Sequence, residues 1–285
     1  PGFVVMGQKL GTERLYKYIS NFGFMEKTGI DLNGESKGIM FAKDKIGPVE
    51  QATISFGQGI SVTPIQQVTA VGAAINGGNL YKPYVVKYIT EPLTNDIMYE
   101  RKPTLVRKVI SDETSKMVRE TLESVVYEGT GKNAYIENYR VGGKTGTAQK
   151  VNNGVYMTGN YIVSFMGFFP ADKPDYVVYV AIDHPTGITQ YGGTVSAPIA
   201  KGIMESIISI KKIRPSEEVI PREYTWLDTK YVRLEDGIGL SKQEAIKLFR
   251  GFKLEYDGDG DNVVYQEPSA GTYVKENSVI KLFLG

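Results

Sequence analysis

Residues 141–149 read VGGKTGTAQ, a stretch in which glycines stand on both sides of one lysine. We expect a strand over 139–149, in which Lys144 projects from one face and Thr145 from the other. The glycines predict a face with little side-chain bulk, where an extended peptide can approach the backbone and pair with the strand edge. An ammonium beside that edge suits a substrate carboxylate or a developing negative charge.

The spacing leaves open which side chains of this stretch converge. Thr147 shares its face with Gln149, and Lys144 lies on the opposite face unless a bulge at Gly146 re-aims the chain. The alternative interpretation is a glycine-rich edge strand that carries a solvated lysine and no active site.

Composition excludes several classes of function. The 285 residues are 41% hydrophobic and carry a formal charge of +1, which supports a globular chain and argues against a polyanionic partner. No cysteine is present, so disulfides, zinc-thiolate sites and a thiol nucleophile are excluded. His184 is the single histidine and cannot form a metal site alone.

Helix signals come first along the chain. Thr63-Pro64-Ile65-Gln66 predicts a capped helix that ends at Asn76-Gly77-Gly78, and a strand is expected from Tyr81 to Ile89. A second helix is expected from Ser111 to the glycines at 129 and 131.

A sheet is predicted next. Strands are expected at 139–149, 160–169 and 176–183, and their short connections indicate antiparallel neighbours. A helix over about 195–210, with Pro198 in its first turn, closes the unit. The order of these elements predicts an α+β fold, with an antiparallel sheet flanked by helices.

The C-terminal part reads as a separate module. Residues 1–212 form the first predicted domain, 213–222 a linker that contains Pro215 and Pro221, and 223–285 a small α/β domain. In that domain Ser241-Lys242-Gln243-Glu244 is a capping box, and strands are expected at 252–256, 263–266 and 278–284.

Parts of this sequence resemble two known families. Lys144-Thr145-Gly146-Thr147 resembles the Lys-Thr-Gly motif of penicillin-binding proteins and serine β-lactamases. The tail, through 239–241 and 266–272, resembles a PASTA domain, although Leu234-Glu235-Asp236-Gly237 replaces the usual proline-containing start. Further segments resemble class B penicillin-binding proteins: 56–59, 63–64, 76–78, 81–83, 129–131 and 191–193.

The resemblance implies the C-terminal portion of a peptidoglycan D,D-transpeptidase of the cell-division or stage V sporulation type. It implies serine acyl transfer on the D-Ala-D-Ala end of a stem peptide, acylation by β-lactams, and no metal or organic cofactor. It also implies division or sporulation wall-synthesis machinery as partners. The parent would be a membrane-anchored protein of a Gram-positive bacterium, with an absent N-terminal anchor and an extracytoplasmic catalytic domain.

The resemblance also implies roles for individual residues. Lys144 would belong to the proton and electrostatic network, and the hydroxyls of Thr145 and Thr147 would bind the substrate or β-lactam carboxylate. The Thr147 N–H would complete the oxyanion hole with the N–H of the nucleophilic serine. Gly146 and Gln149 would line the substrate site.

The nucleophile itself is expected outside this chain. Ser-x-x-Lys occurs at Ser209 and Ser278, but the first lies at a predicted helix end and the second in a predicted strand, where serine and lysine would face opposite ways. The second family motif, Ser-x-Asn, does not occur. Because Pro1-Gly2-Phe3 resembles the segment that follows it in relatives, we expect the missing half of the site on a preceding or separate segment.

Several rival interpretations remain. A non-catalytic peptidoglycan-binding scaffold would keep the groove without the nucleophile, and a D,D-carboxypeptidase or a β-lactamase would share Lys-Thr-Gly. Residues 257–261 resemble the start of a calcium loop, but Asn262 and Pro268 stand where glycine and glutamate are required, so a solvated hairpin turn is expected. His184 is expected in a loop near the rim of the site.

Overall fold

The computed structural model describes residues 2–152, 154–216 and 231–285, and the chain divides into two units, 1–221 and 222–285. The helices of the first unit are α1 (Gly2–Leu10), α2 (Thr12–Asn21), α3 (Pro48–Ser55), α4 (Pro64–Ile75), α5 (Asp112–Tyr127) and α6 (Gly192–Lys211). Its strands are β1 (Ile39–Met40), β2 (Ile60–Ser61), β3 (Asn79–Lys82), β4 (Tyr88–Thr90), β5 (Ile97–Glu100), β6 (Thr104–Lys108), β7 (Gly142–Asn152), β8 (Val155–Phe169) and β9 (Tyr176–Asp183).

A three-stranded antiparallel sheet with the order β7-β8-β9 organises the first unit. Side chains of β8 alternate between its two faces, as the strand period requires. Phe165 and Phe169 pack with Ala197 and Met204 of α6 on one face, and Phe168 packs with Ile75 of α4 on the other. The predicted α+β arrangement, a sheet flanked by helices, is therefore confirmed.

Both predicted helix starts are confirmed by their caps. The Thr63 hydroxyl accepts from the Gln66 N–H at 3.3 Å, and the Gln66 side chain accepts from the Thr63 N–H at 2.9 Å. The Ser111 hydroxyl accepts from the Thr114 N–H at 3.1 Å. Such caps contribute about 1 kcal/mol each because they satisfy amides that the helix leaves unpaired.

The prediction of a single strand from Tyr81 to Ile89 is wrong. β3 ends at Lys82 and pairs with β6, whereas β4 begins at Tyr88 and pairs with β5. Pro83 lacks an N–H for a ladder bond. The carboxylate of Asp31 accepts hydrogen bonds from the amides of Val85 and Val86, at 2.7 and 3.0 Å, so these residues pair with a side chain instead of a strand.

Element boundaries also differ at the sheet. β8 begins at Val155, not at residue 160, because the β7–β8 ladder continues past a register shift to the pair Val151 and Tyr156. β7 begins at Gly142 instead of residue 139. α6 begins at Gly192, so Pro198 lies in its second turn and not in its first.

The second unit contains α7 (Lys242–Leu248), β10 (Tyr231–Arg233), β11 (Lys253–Asp257), β12 (Val263–Glu267), β13 (Tyr273–Lys275) and β14 (Val279–Leu284). The capping box of Ser241 and Glu244 is confirmed. β14 runs parallel to β11 and antiparallel to β12, and it lies between them. The expected hairpin turn at 257–261 is therefore wrong, since its flanking strands do not pair with each other.

The predicted domain boundaries stay predictions. Residues 217–230 lie outside the described residues, and this range holds most of the predicted linker. Residues 213–216 contact the first unit: the Tyr139 hydroxyl donates to the Ile213 carbonyl at 3.0 Å, and the Ser216 N–H donates to the Asn138 carbonyl at 3.0 Å. No helix within the described ranges is long and apolar enough to cross a membrane.

The glycines of residues 141–149 serve internal packing. A Cβ on Gly142 would come closer than 3.0 Å to the ring of Phe168, and one on Gly143 equally close to the ring of Phe165 and the Met166 carbonyl. The expectation that these two glycines leave a bare face for a substrate is therefore wrong. Their missing side chains make room for the two phenylalanines that anchor the opposite faces of the sheet.

We expect Gly142→Ala to lower the free energy of unfolding by about 1–3 kcal/mol, because the added methyl overlaps a ring that is fully buried. Gly202→Ala is the matched control, since Gly202 lies exposed inside α6 with nothing near its Cβ position, and alanine should stabilise it by roughly 0.5–1 kcal/mol. Thermal unfolding followed by circular dichroism measures both. Equal stability of the two variants would contradict the packing argument.

Candidate active site

Lys144 lies on the outer edge of the sheet. β7 is the terminal strand in the order β7-β8-β9, and no other described strand pairs with its outer side. The Lys144 side chain is exposed, and its Nζ donates to the Thr145 carbonyl oxygen at 2.9 Å and lies 3.5 Å from the Thr145 hydroxyl. The lysine therefore folds around the strand edge toward the following residue.

The strand register explains why Lys144 can reach Thr145 only around the edge of the sheet. Lys144 pairs with Met166, whereas Thr145 pairs with Phe165 and Thr147 with Val163, so the lysine and the threonines start from opposite faces. In a central strand they would be separated by the sheet. The long lysine stem crosses the open edge and brings its ammonium next to Thr145, without a bulge at Gly146.

The backbone of β7 presents polar groups at the same edge. In a β-strand the N–H and C=O of one residue point the same way, and the direction alternates along the chain. Because the Thr145 carbonyl meets the Lys144 ammonium outside the sheet, the Thr147 N–H two residues later also faces outward. A donor thus lies beside a cation on an open strand edge.

The first turn of α6 borders the site on one side. The Gly192 N–H donates to the Thr147 hydroxyl at 3.3 Å. A Cβ at Gly192 would come closer than 3.0 Å to the carbonyl oxygens of Ser164 and Gly146, so the helix reaches β7 only because glycine stands here. The positive end of the helix dipole therefore lies close to the Thr147 hydroxyl.

A buried ion pair fixes the approach to β7. The Arg140 guanidinium donates two hydrogen bonds to the Glu123 carboxylate, at 2.8 and 2.7 Å, and only 8% of the Glu123 side chain is exposed. Both charges are satisfied bidentately, the geometry that makes such a pair strong. The pair joins α5 to the residue two positions before the strand, which fixes where the strand starts.

Desolvation lowers the pKa of the Lys144 ammonium from its usual value of 10.5. The side chain is exposed by area, yet the surrounding atoms exclude part of the water that would hydrate its charge. A charge that is incompletely hydrated attracts a carboxylate more strongly than a fully solvated one.

The other predicted site residues take different positions. Gly146 lies half-buried against the Ser164 hydroxyl. Gln149 shares a face with Thr147, but its amide nitrogen donates to the Met157 carbonyl at 3.1 Å, within the β7–β8 ladder. The roles assigned to these residues and to Lys144, Thr145 and Thr147 remain predictions.

The site contains residues that sequence reasoning did not assign to it. The Thr130 hydroxyl lies 3.0 Å from the Thr145 hydroxyl, and the Asn133 amide donates to the Gly193 carbonyl at 2.8 Å. The sequence predicts 129–131 as the end of a helix, and both 129–131 and 191–193 resemble class B penicillin-binding proteins. The signal that could have found them is that each segment contains two glycines next to a helix end.

The two rejected Ser-x-x-Lys pairs lie at the C-terminal end of α6 and at β14 of the second unit. Ser209 lies near the far end of α6, about 25 Å along the helix axis from Gly192 at 1.5 Å per residue. Lys281 forms an ion pair of 2.7 Å with Asp257 in the second unit. His184 follows β9 as predicted for a loop residue, and its N–H donates to the Tyr161 carbonyl. No metal-binding cluster of acidic or histidine side chains occurs among the residues with assigned positions.

This arrangement suits an extended ligand that ends in a carboxylate. A free strand edge supplies backbone hydrogen bonds, Lys144 supplies a cation, and the hydroxyls of Thr145 and Thr147 supply donors. The outward N–H of Thr147 can also stabilise an oxyanion that forms on a carbonyl placed along the edge.

Comparison with known families assigns both units. The model of the penicillin-binding protein transpeptidase domain matches residues 1–205, and the model of the PASTA domain matches residues 232–285. The resemblance inferred from the motifs is thereby confirmed for both parts of the chain.

Individual relatives agree with these assignments. Stage V sporulation protein D of Bacillus subtilis is 52% identical over 284 residues, which are 100% of this chain and 44% of that protein. Peptidoglycan D,D-transpeptidase FtsI of Buchnera aphidicola is 35% identical over 207 residues, or 72% of this chain and 34% of the relative. The chain thus spans less than half the length of these relatives.

A solved structure shares the fold. The crystal structure of penicillin-binding protein 3 from Mycobacterium tuberculosis, complexed with ampicillin, is similar with a TM-score of 0.69 and 30% identity. The similarity covers 76% of this chain and 50% of that one.

We expect the lowered pKa of Lys144 to give stability a pH dependence. Below 10.5 the folded state binds fewer protons at this site than the unfolded state, so stability rises with pH through the interval between the two pKa values. Relative to Lys144→Met, the wild type should therefore gain stability as the pH rises toward 10.5. The free energy of unfolding of both proteins, measured with denaturant at several pH values up to 10.5, tests this prediction. A constant or falling difference would show that the ammonium is not desolvated.

Proposed function

The chain belongs to the penicillin-binding protein transpeptidase family, and we propose that it supplies the substrate-edge half of the active site of a peptidoglycan D,D-transpeptidase. The observation that carries the proposal is the position of Lys144, whose ammonium lies on an open strand edge beside the Thr145 hydroxyl and the outward N–H of Thr147. The substrate would be the D-Ala-D-Ala end of a stem peptide, which pairs with β7 in extended form.

The reaction divides into two acyl transfers. A serine hydroxyl attacks the carbonyl between the two D-Ala residues, and its proton passes to a base. The tetrahedral oxyanion collapses, the terminal D-Ala leaves with a proton, and an acyl-enzyme ester remains. An amine from a neighbouring stem then attacks the ester, forms the cross-link amide and releases the serine.

Residues of β7 stabilise charge during both steps. The Thr147 N–H lies on the edge where the oxyanion forms, and a positioned donor of this kind contributes about 10²–10³ in rate. Lys144 and the hydroxyls of Thr145 and Thr147 hold the terminal carboxylate and so place the scissile carbonyl. Gly146 makes room for the Ser164 hydroxyl behind the strand, and Gln149 would line the proposed site further along β7.

β-Lactams would react at the same place. Their carboxylate would occupy the Lys144 and threonine donors, and attack of the serine would open the lactam ring and leave a covalent ester. A relative of the same fold forms a complex with ampicillin, which supports this proposal.

The nucleophilic serine lies outside this chain in our proposal. Ser209 lies about 25 Å along α6 from Gly192, and Lys281 lies in strand β14 and pairs with Asp257, so we do not assign the nucleophile to either Ser-x-x-Lys pair. The complete protein would join this half-site to a segment that carries the serine and its general base.

The site of action follows from the substrate. Because peptidoglycan lies outside the cytoplasmic membrane, we propose an extracytoplasmic domain in a membrane-anchored protein. The 52% identical relative is named for sporulation, which supports a partner set in sporulation or division wall synthesis.

Replacing Lys144 with alanine in the complete protein should slow acylation by fluorescent penicillin by about 10²–10³-fold, because the carboxylate loses its cation. The melting temperature should change little, since the side chain is exposed. Lys150→Ala is the matched control: Lys150 lies on the same strand but pairs with Asp183 at 2.7 Å, and its loss should leave the labelling rate near wild type. Equal rates for the Lys144 variant and wild type would refute the role of Lys144.

This chain by itself should not be labelled covalently by penicillin, since the proposed nucleophile is absent from it. Incubation followed by intact-mass measurement tests this, with the complete protein as the positive control. A mass increase equal to one penicillin on the isolated chain would place the serine within it. Reversible binding without labelling of the complete protein would instead favour the non-catalytic scaffold, and hydrolysed rather than cross-linked product would favour a carboxypeptidase.

A further inference from the structure

Thr130 lies beside the proposed carboxylate site without belonging to the Lys-Thr-Gly motif. Its hydroxyl is 3.0 Å from the Thr145 hydroxyl, and either oxygen can be the donor. Lys144 approaches the same Thr145 oxygen at 3.5 Å. Two polar groups thus meet at the Thr145 hydroxyl, and the direction of its proton decides what it can bind.

The number of protons that the Thr130 and Thr145 hydroxyls can donate limits how these two groups can bind a ligand. Each threonine hydroxyl has one proton to donate. If Thr145 donates to Thr130, it has no proton left for a ligand. If Thr130 donates to Thr145, the Thr145 proton is free to point to a carboxylate at the strand edge. A bound anion favours the arrangement in which Thr130 donates to Thr145, because successive hydrogen bonds polarise one another toward the charge.

The segment that carries Thr130 is held from three directions. The Gly131 N–H donates to the Val125 carbonyl of α5 at 3.0 Å, and Gly131 packs against the ring of Phe165. The Thr130 carbonyl lies so close to Gly193 that a Cβ there would come within 3.0 Å of it. Asn133 donates its amide to the carbonyl of the same Gly193. The Thr130 hydroxyl is therefore fixed relative to both β7 and α6.

We propose that Thr130 is a positioning residue that makes the site selective for ligands with a free carboxylate, by donating its proton to the Thr145 hydroxyl. The inference rests on the proposed function. It goes further, because it assigns the selectivity for the anion to a residue outside the strand that binds the ligand.

The test compares benzylpenicillin with its methyl ester, in which a methyl ester group replaces the negatively charged carboxylate. Second-order acylation rate constants are measured on the complete protein for wild type, Thr130→Val and Thr130→Ser. The valine variant keeps the bulk and removes the proton, so the rate with the free acid should fall about tenfold, the effect of one lost hydrogen bond. The rate with the ester should fall less than about twofold, because it has no carboxylate.

Thr130→Ser restores the hydroxyl and should return the ratio of acid to ester rates to within about twofold of wild type. Thr121→Val is the control for the same chemical change on neighbouring α5, where the hydroxyl donates to the Met117 carbonyl at 2.8 Å. It should alter neither rate. In a Thr145→Val background, Thr130→Val should cause no further loss, because its effect passes through the Thr145 hydroxyl.

Several results would overturn the inference. Thr130→Val could keep the wild-type ratio, or lose the acid and ester rates equally, which would indicate a structural role alone. A serine variant as slow as the valine variant would show that shape and not the proton matters. If the wild-type protein is not acylated by either ligand, the proposed function itself fails and this inference with it.

Discussion

The pairing of β7 with β8 is the constraint on which the site depends. Gly142 and Gly143 lie against the buried rings of Phe168 and Phe165, so the strand can approach β8 only without side chains there. The same rings anchor the helices on the two faces of the sheet. A change at either glycine therefore disturbs the core and the position of Lys144 together, which couples stability to function at this strand.

The edge position of β7 explains how one short motif assembles its chemistry. Strand alternation separates Lys144 from Thr145 and Thr147, and the lysine stem crosses to the threonine side because no strand among the described residues covers the outer edge of β7. An open edge normally invites unwanted pairing. Here the edge carries a cation and presents hydroxyl and amide donors, the groups with which an extended anionic peptide would pair in the proposed function.

Neighbouring elements hold this edge in place through small residues and paired charges. Gly192 brings the first turn of α6 to Thr147, and the bidentate pair of Arg140 with Glu123 fixes the approach of the chain to β7. Removing the Glu123 carboxylate would therefore destabilise this junction, because the Arg140 guanidinium would lose its bidentate partner. The motif is thus local in sequence, but its geometry is set by α5, α6 and the segment around Thr130.

The sequence by itself determined the α+β class, the capped starts of α4 and α5, the antiparallel sheet and the family, because caps, periodicity and the Lys-Thr-Gly motif are local signals. It did not determine that Gly142 and Gly143 face phenylalanines, that Asp31 interrupts the strand expected over 81–89, or that β14 separates β11 from β12. These features join residues that are distant along the chain. The contact of Thr130 with Thr145 belongs with them, since only the packing of α5 and α6 around β7 brings the two hydroxyls together.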